Sequence, residues 1–207
     1  MNRTRIEKAT FIVHSSGGGQ GQGVLVEGGF VFTAAHCVDF SLDGGMALGD
    51  HCIQIVDTTD GAQLFLSVLA VEPVSDLAVL GPPDCQAAPD EYDEFKRVYD
   101  QTPSLSLDVR EHEVKMLFDI HIFTHKKTWL DGKAMLTWPG ANLISVNTNE
   151  PIEGGTSGGP IVNEHGELVA VVSHTSNVAG SDTQPNLCRA LPVWILSQIT
   201  GKSGPFH

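Results

Sequence analysis

Three residues of this chain have the types needed to split an acyl bond by nucleophilic attack: Ser157 in GGTSGGP, His36 in FVFTAAHCV and Asp76 in SDLAVL. Amide hydrolysis by a serine needs a base to take the hydroxyl proton, a carboxylate to hold that base in the right tautomer, and donors for the developing oxyanion. The glycines around Ser157 permit a tight, strained loop and let a substrate backbone come close. In such a loop the N–H groups of Gly155 and Ser157 can point together at one oxygen. His36 follows an apolar run that ends in two alanines. Asp76 heads a short apolar run within a stretch, Ala9 through Phe95, that has no Lys or Arg, so its carboxylate is either in solvent or bonded to something like an imidazole. Each segment alone has a plain structural explanation: a glycine loop, a strand-end histidine, a surface aspartate. Their presence together is what points to chemistry.

The elements that must position them read as short β-strands. FIVH, GVLVE, FVFTAA, IQIV, LFLSVLAV and DLAVL are rich in Val, Ile, Leu and Phe and are broken by Gly or Asp. VKMLFDIHIFTH, LISVN, GPIVN and ELVAVVSH repeat the pattern after residue 103. Between the halves lies a stretch rich in Pro, Ala and acid, whose centre, residues 90–101, could form one polar helix. The chain is therefore expected to be all-β and in two parts: residues 1–82 with His36 and Asp76, an acidic crossover linker at 83–103, and residues 104–207 with Ser157. After Pro192 the positions Val193, Leu196 and Ile199 or Trp194 fall at helical spacing, which predicts a short packing helix near the C-terminal end.

Composition narrows the classes. Hydrophobic residues make up 41% and charged residues 18% of the 207, enough for a true core. Net charge is −13, and from Ala9 through Phe95 there are thirteen Asp and Glu and no Lys or Arg. That argues against a nucleic-acid partner, which needs clustered bases; solubility explains the charge better than attraction of basic substrates. No apolar run approaches the roughly 20 residues of a membrane span, and the opening segment lacks the apolar stretch of a signal peptide. The expectation is a cytoplasmic protein with no membrane partner and with Cys37, Cys52, Cys85 and Cys188 reduced. These cysteines form no CxxC pair, and Asp119, His121 and His125 do not share one strand face, so neither a metal nor a cofactor is expected. The glycines at 17–23 lack the strand-then-helix setting of a phosphate loop and read as a turn or hairpin.

TAAHC, SDLAVL and GTSGGP, in the order His, Asp, Ser, together resemble the trypsin/chymotrypsin family of serine peptidases, closest to its bacterial members. The resemblance implies two six-stranded antiparallel β-barrels with the active site in the cleft between them and a short C-terminal helix. It also implies a protein or peptide substrate, with His36, Asp76 and Ser157 catalytic and Gly155 and Ser157 forming the oxyanion hole. By position relative to Ser157 it assigns the primary specificity pocket to Pro151, Ile152, Val172, Ser173, His174 and Thr175, and roughly to 188–190. With Pro151 where Lys/Arg-preferring relatives keep an aspartate, that pocket should be apolar. Two departures stand out. Thr156 replaces the aspartate that in digestive members captures a new amino terminus, so that ion pair is excluded. No cysteine precedes Cys37 to form the disulfide usual in the family. Two other readings share the motifs: a catalytically silent binding module of the same fold, and a specialised intracellular effector protease that cuts one partner and is gated by another protein.

Overall fold

The computed structural model describes residues 1–15, 18–38, 53–110, 112–174 and 181–201, with the side chains of Ile53, Gln54 and Ser181 left aside. Twelve strands are seen there, in two six-stranded antiparallel sheets. The first is a closed barrel of β1 (Thr10–His14), β2 (Gln20–Val26), β3 (Phe30–Ala34), β4 (Ile53–Asp57), β5 (Gln63–Glu72) and β6 (Leu77–Gly81), in the order β1-β2-β3-β6-β5-β4. β1 closes it by pairing with β4, Val13 opposite Val56. β3 and β6 are buried at every position, because one face fills the barrel and the other is covered by neighbouring elements. Continuous apolar runs such as FVF and LAVL are what such doubly buried strands require.

The second sheet holds β7 (Leu117–Phe123), β8 (Trp129–Met135), β9 (Leu143–Thr148), β10 (Pro160–Asn163), β11 (Leu168–Val171) and β12 (Ser181–Pro185), in the order β11-β10-β7-β8-β9-β12. It curls into a nearly closed barrel around Ile120, Ile122, Ile144, Val146, Ile161, Val169 and Val172. The core of the first barrel runs on into Val162, Leu168 and Val171 of the second, so an apolar seam joins the two and fixes the cleft between them.

Four helices complete the described chain. α1 (Arg3–Lys8) is capped by Asn2, buries Ile6, and reaches the second barrel through Trp129 Nε1, which donates to Glu7 at 3.0 Å. α2 (Pro89–Gln101) is the polar crossover helix that the acidic stretch predicts, anchored by Phe95 and Val98. α3 (Leu187–Ala190) and α4 (Val193–Thr200) end the fold. α4 follows Pro192 as expected but packs by a rotated face. Ile195 is its fully buried residue, with Leu196 and Ile199 packed beside it, while Val193 is 56% exposed and Trp194 47%. Positions 195, 196 and 199 also satisfy helical spacing, and the slot left by Leu187 and Leu191 selects that face.

The all-β double barrel with a short C-terminal helix is thus what the motifs implied. β8, β12, α1 and α3 were absent from that expectation. Cys52, Thr175 and the first glycine of the 17–23 stretch lie outside the described residues.

Candidate active site

Strand register brings His36 and Asp76 together. β3 pairs with β6 so that Ala34 faces Leu77. His36 lies two residues beyond that pair, in a single 3-10 turn at Ala35–Cys37, and Asp76 lies one residue before it. The Ala35 N–H donates to the Asp76 carbonyl at 3.0 Å, which closes the ladder. Asp76 has φ +55, a left-handed conformation that Asp and Asn adopt at lower cost than other residues with a Cβ. Glu72 holds the preceding turn by accepting from the N–H groups of Val74 and Ser75. The result is a carboxylate with both oxygens engaged. Oδ1 accepts from the His36 main-chain N–H at 2.9 Å, and Oδ2 takes the His36 Nδ1 contact at 2.7 Å and the Ser173 hydroxyl at 2.7 Å. With Nδ1–H directed at Asp76, Nε2 is the nitrogen left to act on a substrate-side hydroxyl.

Ser157 comes from the other barrel. β10 and β11 pair with Pro160 opposite Val171. Just beyond that ladder, Gly158 N–H donates to Val172 O at 2.6 Å and Val172 N–H to Gly159 O at 2.8 Å. Gly155 and Gly158 have φ +90 and +81, which only glycine adopts freely. At Gly158 there is also no room: an added Cβ would lie 1.8 Å from Gln22 O. The loop therefore lies flat on β2, and Gln22 N–H donates to Ser157 O at 2.6 Å across the barrel interface. Neither Gly155 N–H nor Ser157 N–H donates to another group among the described residues, so both stay available to an incoming oxygen. The Ser157 hydroxyl likewise makes no hydrogen bond among the described residues, His36 included.

The Ser173–Asp76 bond is another hydrogen bond between the barrels. Its backbone is held from an unexpected direction. The described strands leave β11 and β12 unpaired with each other, and the fully buried Gln184 of β12 bridges the gap. Its Oε1 accepts from Ser173 N–H at 2.6 Å and His174 N–H at 3.2 Å, and its Nε2 donates to His174 O at 2.8 Å. Among the residues assigned to the specificity pocket, Ile152 and Val172 are 1% and 0% exposed in the core of the second barrel, while Pro151 and His174 are on the surface. The segment at 188–190 forms α3 instead, with Cys188 Sγ bonded to Asp108 O at 2.7 Å and Ala190 in the shared core. It is β12, not this segment, that faces the residues after β11.

Three further groups considered for metal go to separate partners: Asp119 to Lys133, His121 to Asp131 and His125 to Thr156. A cleft of about 490 Å³ opens between the barrels on the Gly155 side, lined among others by Gln20, Gly21, Gln22, Phe123 and His125.

Electrostatics favour the charged pair. Burial alone pushes the Asp76 carboxyl up, but the bonds from the His36 ring, the Ser173 hydroxyl and the His36 N–H outweigh it and hold the carboxyl below its ordinary value. On the other side, the hydrogen bond to Asp76, followed by one to Cys37, raises His36 from 6.5 to about 10, against the opposing effect of burial. The ring is thereby made a stronger proton acceptor than free imidazole.

One barrel thus carries the His36–Asp76 pair and the other the glycine-flanked loop of Ser157. The family model described as trypsin-like peptidase domain matches residues 21–171, and the chain belongs to that family. Its fold is similar to that of the serine endoprotease from Yersinia pestis, with TM-score 0.62 and 16% identity over 97% of this chain and 67% of that one. It is also similar to Rv3671c from M. tuberculosis, in the inactive form of a serine-to-alanine mutant, with TM-score 0.58 and 16% identity over 97% of this chain and 90% of that one. A second inactive form of the Rv3671c protease gives TM-score 0.57 and 15% identity over 97% and 92%. No curated protein sequence matches the chain significantly.

Proposed function

We propose that this chain is a serine endopeptidase that works through an acyl-enzyme. Ser157 Oγ attacks the scissile carbonyl, His36 Nε2 takes its proton and passes it to the leaving amine, and Asp76 keeps the proton of Nδ1 in place. The Gly155 and Ser157 N–H groups receive the oxyanion. The observation that carries this reading is the carboxylate of Asp76, whose two oxygens are occupied by His36 and Ser173 so that the imidazole is held in one tautomer. The Gly155 and Ser157 N–H groups, which have no partner among the described residues, support it from the other barrel.

The residue before the scissile bond is proposed to be a small or medium apolar one, bound by Pro151, Ser173, His174 and Thr175, while the buried Ile152 and Val172 back the pocket from the core. Burying an unpaired charge in an apolar pocket costs several kcal/mol, whereas a matched methylene gains about 1–3 kcal/mol. A reducing, cytoplasmic setting is proposed from the few, irregularly spaced cysteines of the sequence. Among the described residues no helix is long and apolar enough to cross a membrane.

A peptide library incubated with the protein and with its Ser157→Ala form tests both parts. Cleavage after Ala, Val, Leu or Met that vanishes in Ser157→Ala is expected. Dominant cleavage after Lys, Arg, Asp or Glu would overturn the pocket assignment, and cleavage that survives Ser157→Ala would overturn the nucleophile.

A further inference from the structure

The residue just before Ser157 is fully buried, yet its hydroxyl is bonded outside its own loop. Thr156 has no exposed surface, and its Oγ1 lies 3.0 Å from Nδ1 of His125 in a hydrogen bond. His125 sits at the tip of the β7–β8 hairpin and is itself exposed. The same ring covers Gly155: a Cβ built there would lie 3.4 Å from Cγ and Cδ2 of His125 and 3.6 Å from Nδ1. Beside it Lys126 pairs with Glu153, at the foot of the loop.

The hairpin tip is a stiff support. β7 and β8 pair continuously from Leu117 opposite Met135 to Phe123 opposite Trp129. Beyond them Thr124 N–H donates to Thr128 O at 2.9 Å, Lys127 N–H to Thr124 O at 2.9 Å, and the two threonine hydroxyls are bonded at 2.7 Å. The serine loop is less well tied within itself. Between residues 153 and 159 it has Thr156 N–H to Glu153 O at 3.3 Å and Gly159 N–H to Thr156 O at 2.8 Å. Gly155, at φ +90, has no side chain to fix its peptide plane. A small rotation there would turn its N–H away from the point that Ser157 N–H addresses, and oxyanion stabilisation depends on that convergence. Thr156 carries no charge with which to anchor the loop through an ion pair.

Resting on the protease reading above, we propose that His125 is a positioning residue: by bonding Thr156 and packing on Gly155 it holds the oxyanion-forming loop with both N–H groups convergent. Removing one oxyanion donor outright lowers kcat by about 10²–10³. His125→Ala removes the support and leaves the donor, so kcat should fall by about 10–100-fold with a smaller change in KM, because the lost contact acts on the oxyanion and not on ground-state binding. Reaction with a fluorophosphonate should slow in parallel. A peptide boronate, which places an oxygen in the oxyanion site, should lose affinity by a similar factor.

The experiment measures kcat, KM, fluorophosphonate labelling rate and boronate affinity for His125→Ala, His125→Asn and Thr156→Val, with thermal unfolding alongside. His125→Asn keeps a short polar group able to reach Thr156 and should regain part of the lost kcat. Thr156→Val should resemble His125→Ala, and the double variant should be no worse than the poorer single one, because both break the same bond. A His125→Ala enzyme with kcat within twofold of wild type overturns the inference. So does a loss matched by a lower unfolding temperature and not regained by His125→Asn. Folded wild-type protein inert to both peptides and probe overturns the protease reading and this inference with it, an outcome distinct from an active wild type indifferent to His125.

Discussion

Replacing Asp76 by Asn should leave the fold standing and remove nearly all turnover. The backbone at this position has φ +55, which Asn tolerates almost as well as Asp, whereas Ala would add strain of about 1–2 kcal/mol. The side chain cannot satisfy its neighbours in either orientation. If the amide NH₂ takes the place of Oδ2, it faces the His36 Nδ1 proton at 2.7 Å and the Ser173 hydroxyl. Serine can turn to accept, but the imidazole must move its proton to Nε2, which disables the base toward Ser157. If the NH₂ takes the place of Oδ1, two donors confront each other across the 2.9 Å separation from His36 N–H. The first arrangement costs less, so the wrong tautomer should prevail. The expected loss is about 10⁴ in kcat, or ~5.4 kcal/mol of transition-state stabilisation. The assay is hydrolysis of a chromogenic peptide ester across pH, with near-ultraviolet circular dichroism to verify folding. Because the base must be neutral to act, the raised pKa of His36 places the acid limb of kcat/KM in the parent enzyme above 6.5. That is higher than the limb of about 6.5 expected of an unpaired histidine. In Asp76→Asn any residual activity should show its limb shifted back toward 6.5. A folded variant that keeps more than a tenth of parental kcat, or a parent limb at or below 6.5, would refute the reasoning.

Gly158→Ala should lower kcat by about 10²-fold or more, because the added Cβ would meet Gln22 O at 1.8 Å and must push the serine loop off β2 by the order of an ångström; steady-state kinetics at equal folded protein checks this. Asp108, its side chain wholly buried, accepts from Arg110 and Asn163, and although burial alone would raise it, these bonds hold it at about 2. A depressed carboxyl stabilises the fold above its unfolded value of 3.8, so about 2 kcal/mol should be lost as pH falls from 3.8 through 2, and urea titrations over that range should lose this slope in Asp108→Asn. Ser173→Ala should cost far less than Asp76→Asn, about tenfold in kcat, because it removes one donor to the carboxylate and leaves both His36 bonds in place; the two variants compared in one assay decide this.

Strands packed on both faces were legible as sequence. Runs such as FVF, LAVL and LVAVV are too apolar to be anything but buried, and β3, β6 and β11 carry them. β8, reading WLDGKAM, was not legible, because its Asp, Gly and Lys disfavour strands and its exposure pattern leaves one buried position. β12, reading SDTQP, owes its conformation to its ladder with β9, five residue pairs from Ser181 opposite Asn147 to Pro185 opposite Leu143. α1 is six residues long with one buried side chain, below the length at which periodicity can be read. At the site, local motifs displayed His36, Asp76 and Ser157, and glycine chemistry foretold the loop at 155–158. The supports of these residues were hidden. Ser173 meets Asp76 across 97 positions of sequence, and His125 meets Thr156 across 31, distances over which no local pattern reports. Gln184 acts through amide bonds that complete a sheet, and a lone glutamine beside a proline gives no sign of that.

Everything proposed for the site depends on Ser157 being an activated nucleophile. The most direct test treats the folded protein with a fluorophosphonate probe at neutral to mildly alkaline pH and locates the adduct by peptide mass spectrometry. A single adduct on Ser157, absent in Ser157→Ala and strongly slowed in His36→Ala, is the predicted result. Folded protein that takes no probe, or takes it at another residue with Ser157 unmodified, would contradict it.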